Sequence, residues 1–190
     1  MQDISLHLLD IIENSVRAKA TLIRIEIKRE VMRNELSFIV SDDGKGMDEK
    51  ILSEAQNPFY TSKLGRIKKV GLGIPLFKQN AEMCNGYFNL ESKLGVGTTL
   101  TAVFQYDHID RIPLGNLQDT FVSSIIGHAD IDFEIILENK IITGENDVFE
   151  FSTIAVKKEL DGIPITYPAV ISYINDVIKE GIINIKMEEF

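Results

Sequence analysis

A chain of 190 residues with 44% apolar and 26% charged side chains can bury one large core or two small ones, and it falls outside the disordered, collagen-like and low-complexity classes. No run approaches the ~18 apolar residues of a membrane-spanning helix, and the opening MQDISLHLLD lacks the basic start and apolar stretch of a signal peptide, so a cytoplasmic protein without membrane contact is expected. Cys84, the single cysteine, excludes an internal disulfide and a cysteine-ligated zinc or iron–sulfur centre within one chain, while the net charge is −9.

Apolar residues at Ile4, Leu8, Ile11, Ile12 and Val16 recur at spacings of three and four, which predicts an amphipathic helix over 4–19. TLIRIEIKR (21–29) alternates and ELSFIVSDD (35–43) is rich in β-branched and aliphatic residues; a polar turn around Arg33 and Asn34 joins them into a hairpin. After the glycine-rich DDGKGM comes a polar, proline-containing stretch to about residue 70. A helix is expected from Gly73 to about Asn85, closed by Gly86, with strands at 87–93 and 98–106 around the turn LGVG. This order predicts an α+β sandwich with helices on one face of a mixed or antiparallel sheet.

Beyond residue 106 the pattern predicts a helix at 116–126, strands near 131–137 and 147–152, a short helix at 153–160, and a helix at 168–180 opened by Pro168 and stopped by Gly181. Charge divides at the same place. Residues 1–105 carry 14 Lys/Arg against 13 Asp/Glu, and residues 106–190 carry 6 against 16. Two parts are therefore expected, 1–105 and a small acidic α+β module at 106–190. The acidic part suits docking to a basic protein surface and is repelled by phosphate backbones, which disfavours a nucleic-acid partner.

Four stretches carry chemistry. Asp10 and Asn14 lie four apart, so a helix stacks them on one face, where a carboxylate and an amide can share a magnesium ion or orient a water; the same pair also occurs on plain solvated faces. Asp42-Asp43-Gly44-Lys45-Gly46 follows a strand, and its glycines let the backbone approach a flat ligand while a carboxylate accepts from an exocyclic amine; Asp-Gly is equally an ordinary turn. Val70-Gly71-Leu72-Gly73 opens a helix whose free N–H groups suit phosphate oxygens. Lys63, Arg66, Lys68 and Lys69 precede it without an acidic neighbour, as a phosphate-facing or simply solvated basic loop. Gly95-Val96-Gly97-Thr98 reads as a hairpin turn with Thr98 starting a strand.

In order, LDIIENSVRAKA resembles the N-box, SDDGKGM the G1 box, VGLGIPLFKQNAEMCNG the G2 box, and ESKLGVGTTLTAVF the final glycine-Thr box of the gyrase, heat-shock ATPase, histidine kinase and MutL family over about residues 4–105. ENSVRAKATLIRIEI is most similar to MutL; NPFYTSK and the region from Gly71 onward are closer to sensor histidine kinases. The resemblance implies a Bergerat-type two-layer sandwich that binds ATP and Mg2+. It makes Asn14 the magnesium ligand, Asp42 the acceptor of the adenine amino group, and Gly44 and Gly46 the shapers of the adenine pocket. Gly71 and Gly73 become the phosphate-side glycines, Thr98 the threonine near adenine, and Lys63 a lid residue aimed at the phosphates.

Two departures set the expected activity. Asp10 stands where hydrolysing members have glutamate as general base, and a side chain one methylene shorter displaces the carboxylate by about 1 Å, which can cost ~100-fold in rate. Glu13 is the second candidate. The N-box begins within the first dozen residues, so a stand-alone form without a dimerisation and phosphoacceptor domain is expected, as in the anti-sigma-factor serine kinases that it resembles. The expected function is a protein kinase acting on a separate protein. The alternatives are an ATP-dependent switch with slow or no hydrolysis, and a transcription-related adaptor using the C-terminal helices. SLHLLDIIENSVRA also resembles small ATP-binding proteins that accompany hydrogenase or NADH-dehydrogenase-like subunits, which implies a redox-complex partner. His7 is read as a helix-face residue, and His108 and His128 are assigned no role.

Overall fold

A computed structural model defines the fold over residues 3–55, 73–141 and 146–186. Helix α1 (Ile4–Arg17) starts where the Asp3 carboxylate accepts the Leu6 N–H at 2.9 Å, and it carries Arg17 in its last turn, against the helix dipole. Ile4, Leu8, Ile11 and Ile12 bury its apolar stripe. The hairpin of β1 (Leu22–Glu30) and β2 (Glu35–Asp42) turns through a single 3-10 turn at Val31–Arg33 and a left-handed Asn34. Helix α3 (Gly73–Met83), β3 (Tyr87–Lys93) and β4 (Gly97–Gln105) follow the expected pattern. Between the two halves, α2 (Glu49–Ala55) occupies part of the stretch expected as loop; none of its residues is buried, so no apolar stripe marks it in the sequence.

Beyond β4 come α4 (Leu117–Gly127), β5 (Asp132–Lys140), β6 (Asn146–Ser152), α5 (Thr153–Glu159) and α6 (Pro168–Asn184). The sheet has six strands in the order β3-β4-β2-β1-β5-β6, mixed because β5 runs parallel to β1 and the other neighbours pair antiparallel. The change of charge near residue 105 therefore coincides with no break in the sheet. Val40 lies opposite Ile25 and Leu100, and Ile25 opposite Ile135, forming one apolar row across four strands beneath the helices. Phe77 of α3 meets Phe38 and Phe104 of that face at ring-centroid distances of 5.9 and 5.4 Å, each buried ring contributing roughly 1.5–3 kcal/mol. On the opposite face Arg24 reaches Glu134 at 2.6 Å and Lys28 reaches Glu138 at 3.7 Å, the charged alternation of a sheet with one solvated side.

Helix α6 does not stop before Gly181 but runs through it to Asn184. A Cβ at Gly181 would lie 2.3 Å from the Phe149 ring of β6, so this glycine admits close helix-to-sheet approach instead of ending the helix. The stop comes three residues later, where the buried Asn139 amide donates to the Ile185 carbonyl at 2.9 Å. Among the described residues no helix is long and apolar enough to cross a membrane.

Candidate functional site

A cavity of about 300 Å³ opens between α1, the C-terminal end of β2, α2 and the β3–β4 hairpin. Ile11, Val40, Leu90 and Leu100 give it apolar walls, and Asn14, Asp42 and Thr98 supply polar groups. The sheet places two of these. Asp42 follows Val40 by two, so its side chain shares the helix-bearing face, and the ladder sets Thr98 directly opposite it. The neighbouring acids then diverge. Asp43 accepts the Thr21 N–H at 2.7 Å and the Leu22 N–H at 2.9 Å, tying the start of β1. Partial burial pushes its pKa up, but the hydrogen bonds from Thr21 and Leu22 prevail and hold it below the usual carboxylate range.

The Asp42 carboxylate is held at both oxygens. Oδ1 accepts the Gly44 N–H at 2.9 Å, and Oδ2 accepts the Ser15 hydroxyl at 2.7 Å. Ser15 is only 3% exposed, on the α1 face that otherwise buries Ile4, Leu8 and Ile11. The glycine-rich turn is stitched to two elements: Lys45 N–H donates to Ala18 O at 2.9 Å, and Lys45 O accepts Gly95 N–H at 2.8 Å. Gly46 sits at φ +62°, where a Cβ would fall 2.0 Å from the Lys93 carbonyl oxygen; only glycine fits there without moving β3. A Cβ is also excluded at Gly44, 2.8 Å from the Ala18 methyl. Thr98 Oγ1 lies 2.9 Å from Ser92 Oγ, which in turn accepts the Met47 N–H at 2.9 Å.

Along α1, Asn14 lines the cavity and Asp10 does not. Asn14 Oδ1 accepts from Arg17 Nη1 at 3.1 Å. Asp10 lies instead against the first residue of α3, where a Cβ on Gly73 would be 2.8 Å from its Oδ2. Glu13 is engaged elsewhere: its Oε1 is 2.8 Å from Nε2 of His128, the residue that ends α4. His7 is buried and stacked on Phe77 at 5.3 Å, and its Nε2 lies 3.1 Å from the Asn80 side-chain amide. The structure thus gathers Asn14, Asp42, Gly46 and Thr98 around one cavity, with Gly44 reaching it only through its N–H on Asp42, and sets Asp10 and Gly73 beside each other. Lys63, the basic residues Arg66, Lys68 and Lys69 that follow it, and Gly71 lie outside the described residues. Sequence reasoning passed over Ser15. Its signal was a polar residue four after Ile11, within an otherwise apolar stripe.

The sequence profile of the histidine kinase-, DNA gyrase B- and HSP90-like ATPases matches residues 2–108. The sensor histidine kinase YvrG of Bacillus subtilis is 29% identical over 98 residues, half of this chain and 17% of that protein. The circadian input-output histidine kinase CikA of Synechocystis is 33% identical over 89 residues, 45% of this chain and 12% of the kinase. Among solved structures, the N-terminal domain of a DNA repair protein superposes with a TM-score of 0.49 at 17% identity, covering 78% of this chain and 52% of its own. The Aquifex aeolicus MutL ATPase domain complexed with ADP superposes with 0.46 at 12% identity, covering 72% of this chain and 60% of its own.

Proposed function

This chain belongs to the histidine kinase-, DNA gyrase B- and HSP90-like ATPase family, and we propose that it binds Mg·ATP in the α1–β2 cavity and serves as a protein kinase toward a separate protein. One observation carries the binding reading. The only carboxylate lining the cavity among the described residues, Asp42, is fixed at both oxygens against apolar walls, and a flat base with an exocyclic amine complements that arrangement. Gly44 and Gly46 let the turn that carries Asp42 pack directly against Ala18 and the Lys93 backbone, where a Cβ would collide. Thr98, opposite Asp42, borders the same base. Asn14 Oδ1 is a hard oxygen at the cavity wall, and a cation bound there would draw its other ligands from phosphate and water. Gly73 opens α3 where backbone N–H groups suit phosphate oxygens, and Gly71 and Lys63 belong to the same proposal.

When bound, Mg·ATP supplies the phosphoryl group and the charge that offsets its transfer. This chain's residues position and select: Asp42 accepts from the base, Asn14 orients the metal end, and the partner protein provides the acceptor. Asp10, the candidate base, has the short carboxylate of a weak hydrolase, and Glu13 is occupied by His128. Both features favour transfer or retention over hydrolysis. The redox-complex partner implied by the N-terminal resemblance is the first class to try.

A second reading, a nucleotide-operated switch, is favoured by the Glu13–His128 contact, which links the helix bearing Asn14 directly to α4 in the acidic half. The two part in one experiment. Incubating the protein with γ-labelled ATP and candidate partners is expected to label a partner in a manner that Asn14→Ala abolishes. ATP binding without any labelled protein would reject the kinase reading and leave the switch.

A further inference from the structure

Ser15 lies in the N-box stretch directly after Asn14 but is given no role there, yet its hydroxyl is buried and committed. It donates to Asp42 Oδ2 at 2.7 Å, 27 residues away in sequence, while its distance to the Ile11 carbonyl, the ordinary intrahelical acceptor for such a side chain, is 3.4 Å. The shorter contact dominates, and the acceptor is the charged partner, so the hydroxyl proton belongs to the carboxylate. Gly44 N–H takes Oδ1 at 2.9 Å. With one donor on each oxygen, the plane of the carboxylate is set, and so is the direction of the lone pairs left for a ligand. The Gly44 donor comes from the same turn as Asp42 and would follow it in any local movement. Ser15 comes from α1, the helix that also carries Asn14, and is the donor that references the carboxylate to the rest of the site.

We propose that Ser15 is a specificity-determining positioning residue: it fixes the rotation of Asp42 so that the cavity discriminates for a purine bearing a 6-amino group. The inference rests on the adenine reading of Asp42 and adds a residue to it. A carboxylate free to rotate accepts from other donors in other directions, for example N1–H of a 6-oxopurine, whereas one pinned at both oxygens accepts along one line. Removing a hydrogen bond to a charged group typically weakens the dependent interaction by about tenfold, so the preference for the amino group is expected to fall by that factor.

The test compares ATP with purine riboside triphosphate, which lacks the 6-amino group, and with GTP, by titration against the parent, Ser15→Ala and Asp42→Asn. The parent is expected to prefer ATP over the 6-unsubstituted analogue. Ser15→Ala should lose about tenfold of that preference while binding the analogue as the parent does, and should gain relative affinity for GTP. A purely structural role would lower all three nucleotides together. Ser15→Cys, close in volume with a far weaker donor, gives the same readout should the alanine variant fold poorly. A Ser15→Ala protein that keeps the full ATP preference, or loses affinity equally for every nucleotide, overturns the inference and leaves the Asp42 reading standing. A parent with no preference for ATP over the analogue overturns both.

Discussion

Replacing Gly46 by alanine probes the turn that shapes the cavity floor, and the structure sets the size of the effect. At φ +62° an L-residue costs about 1–2 kcal/mol relative to glycine. The new Cβ would also lie 2.0 Å from Lys93 O and 2.6 Å from Lys93 C. Those atoms are backbone within β3, so relief requires moving the strand, an overpacking cost of roughly 1–3 kcal/mol. The sum is about 2–5 kcal/mol, a large part of the ~5–15 kcal/mol that holds a domain together. With a urea slope of about 2 kcal/mol/M, the unfolding midpoint should fall by roughly 1–2.5 M. Gly95→Ala is the internal control. Its φ is +75°, but nothing lies within 4 Å of the added Cβ, so only the conformational cost of about 1–2 kcal/mol remains. The difference between the two variants in urea titrations isolates the contact with Lys93. Equal losses at both positions would refute the claim that close approach to β3 is what requires glycine at 46.

Other expectations follow from the same reasoning. Gly181→Ala gains about 1 kcal/mol of helix propensity but drives a Cβ to 2.3 Å from the Phe149 ring, so it should lower the melting temperature; in a Phe149→Ala background the same change should raise it. Burial holds His7 below its usual pKa, so below about pH 6.5 the unfolded chain binds a proton that the folded chain refuses. Stability is therefore full above that pH and falls on acidification from pH 7.5 towards 5.5, until the folded-state pKa is passed. His7→Phe should flatten this slope in urea titrations at the two pH values, and an unchanged slope would assign it to other groups. Asn14→Ala should remove the tightening of nucleotide binding by magnesium, read as the ratio of affinities with and without the ion.

The parts of the fold legible in the sequence are those whose signal is local. The stripe of Ile4, Leu8, Ile11 and Ile12 and the alternation of Ile23, Ile25 and Ile27 report burial on one side, and the α1 and β1 so predicted have those residues buried. Helix α2 has no fully buried residue, only Leu52 and Ala55 packing partly against the core, and so left no clear stripe. Gly181 carries the sequence signature of a helix stop, while its reason for being glycine is the Phe149 ring of another element. The parallel pairing of β5 with β1 joins residues about 110 apart, as in Ile25 and Ile135, and no local spacing encodes it. The site divides in the same way. Asp42 and Gly46 were visible because strand ends and glycine-rich turns have signatures, whereas the Ser15–Asp42 bond and the Glu13–His128 pair exist only once α1 is packed.

We propose Asp42 as the residue that makes this cavity an ATP site. Isothermal titration of the protein with Mg·ATP and Mg·ADP, repeated on Asp42→Asn, tests it most directly. Saturable binding of both nucleotides by the parent and loss of adenine selection in the variant are expected. Heats that do not saturate for the parent, or an Asp42→Asn protein that binds and selects like the parent, would contradict it.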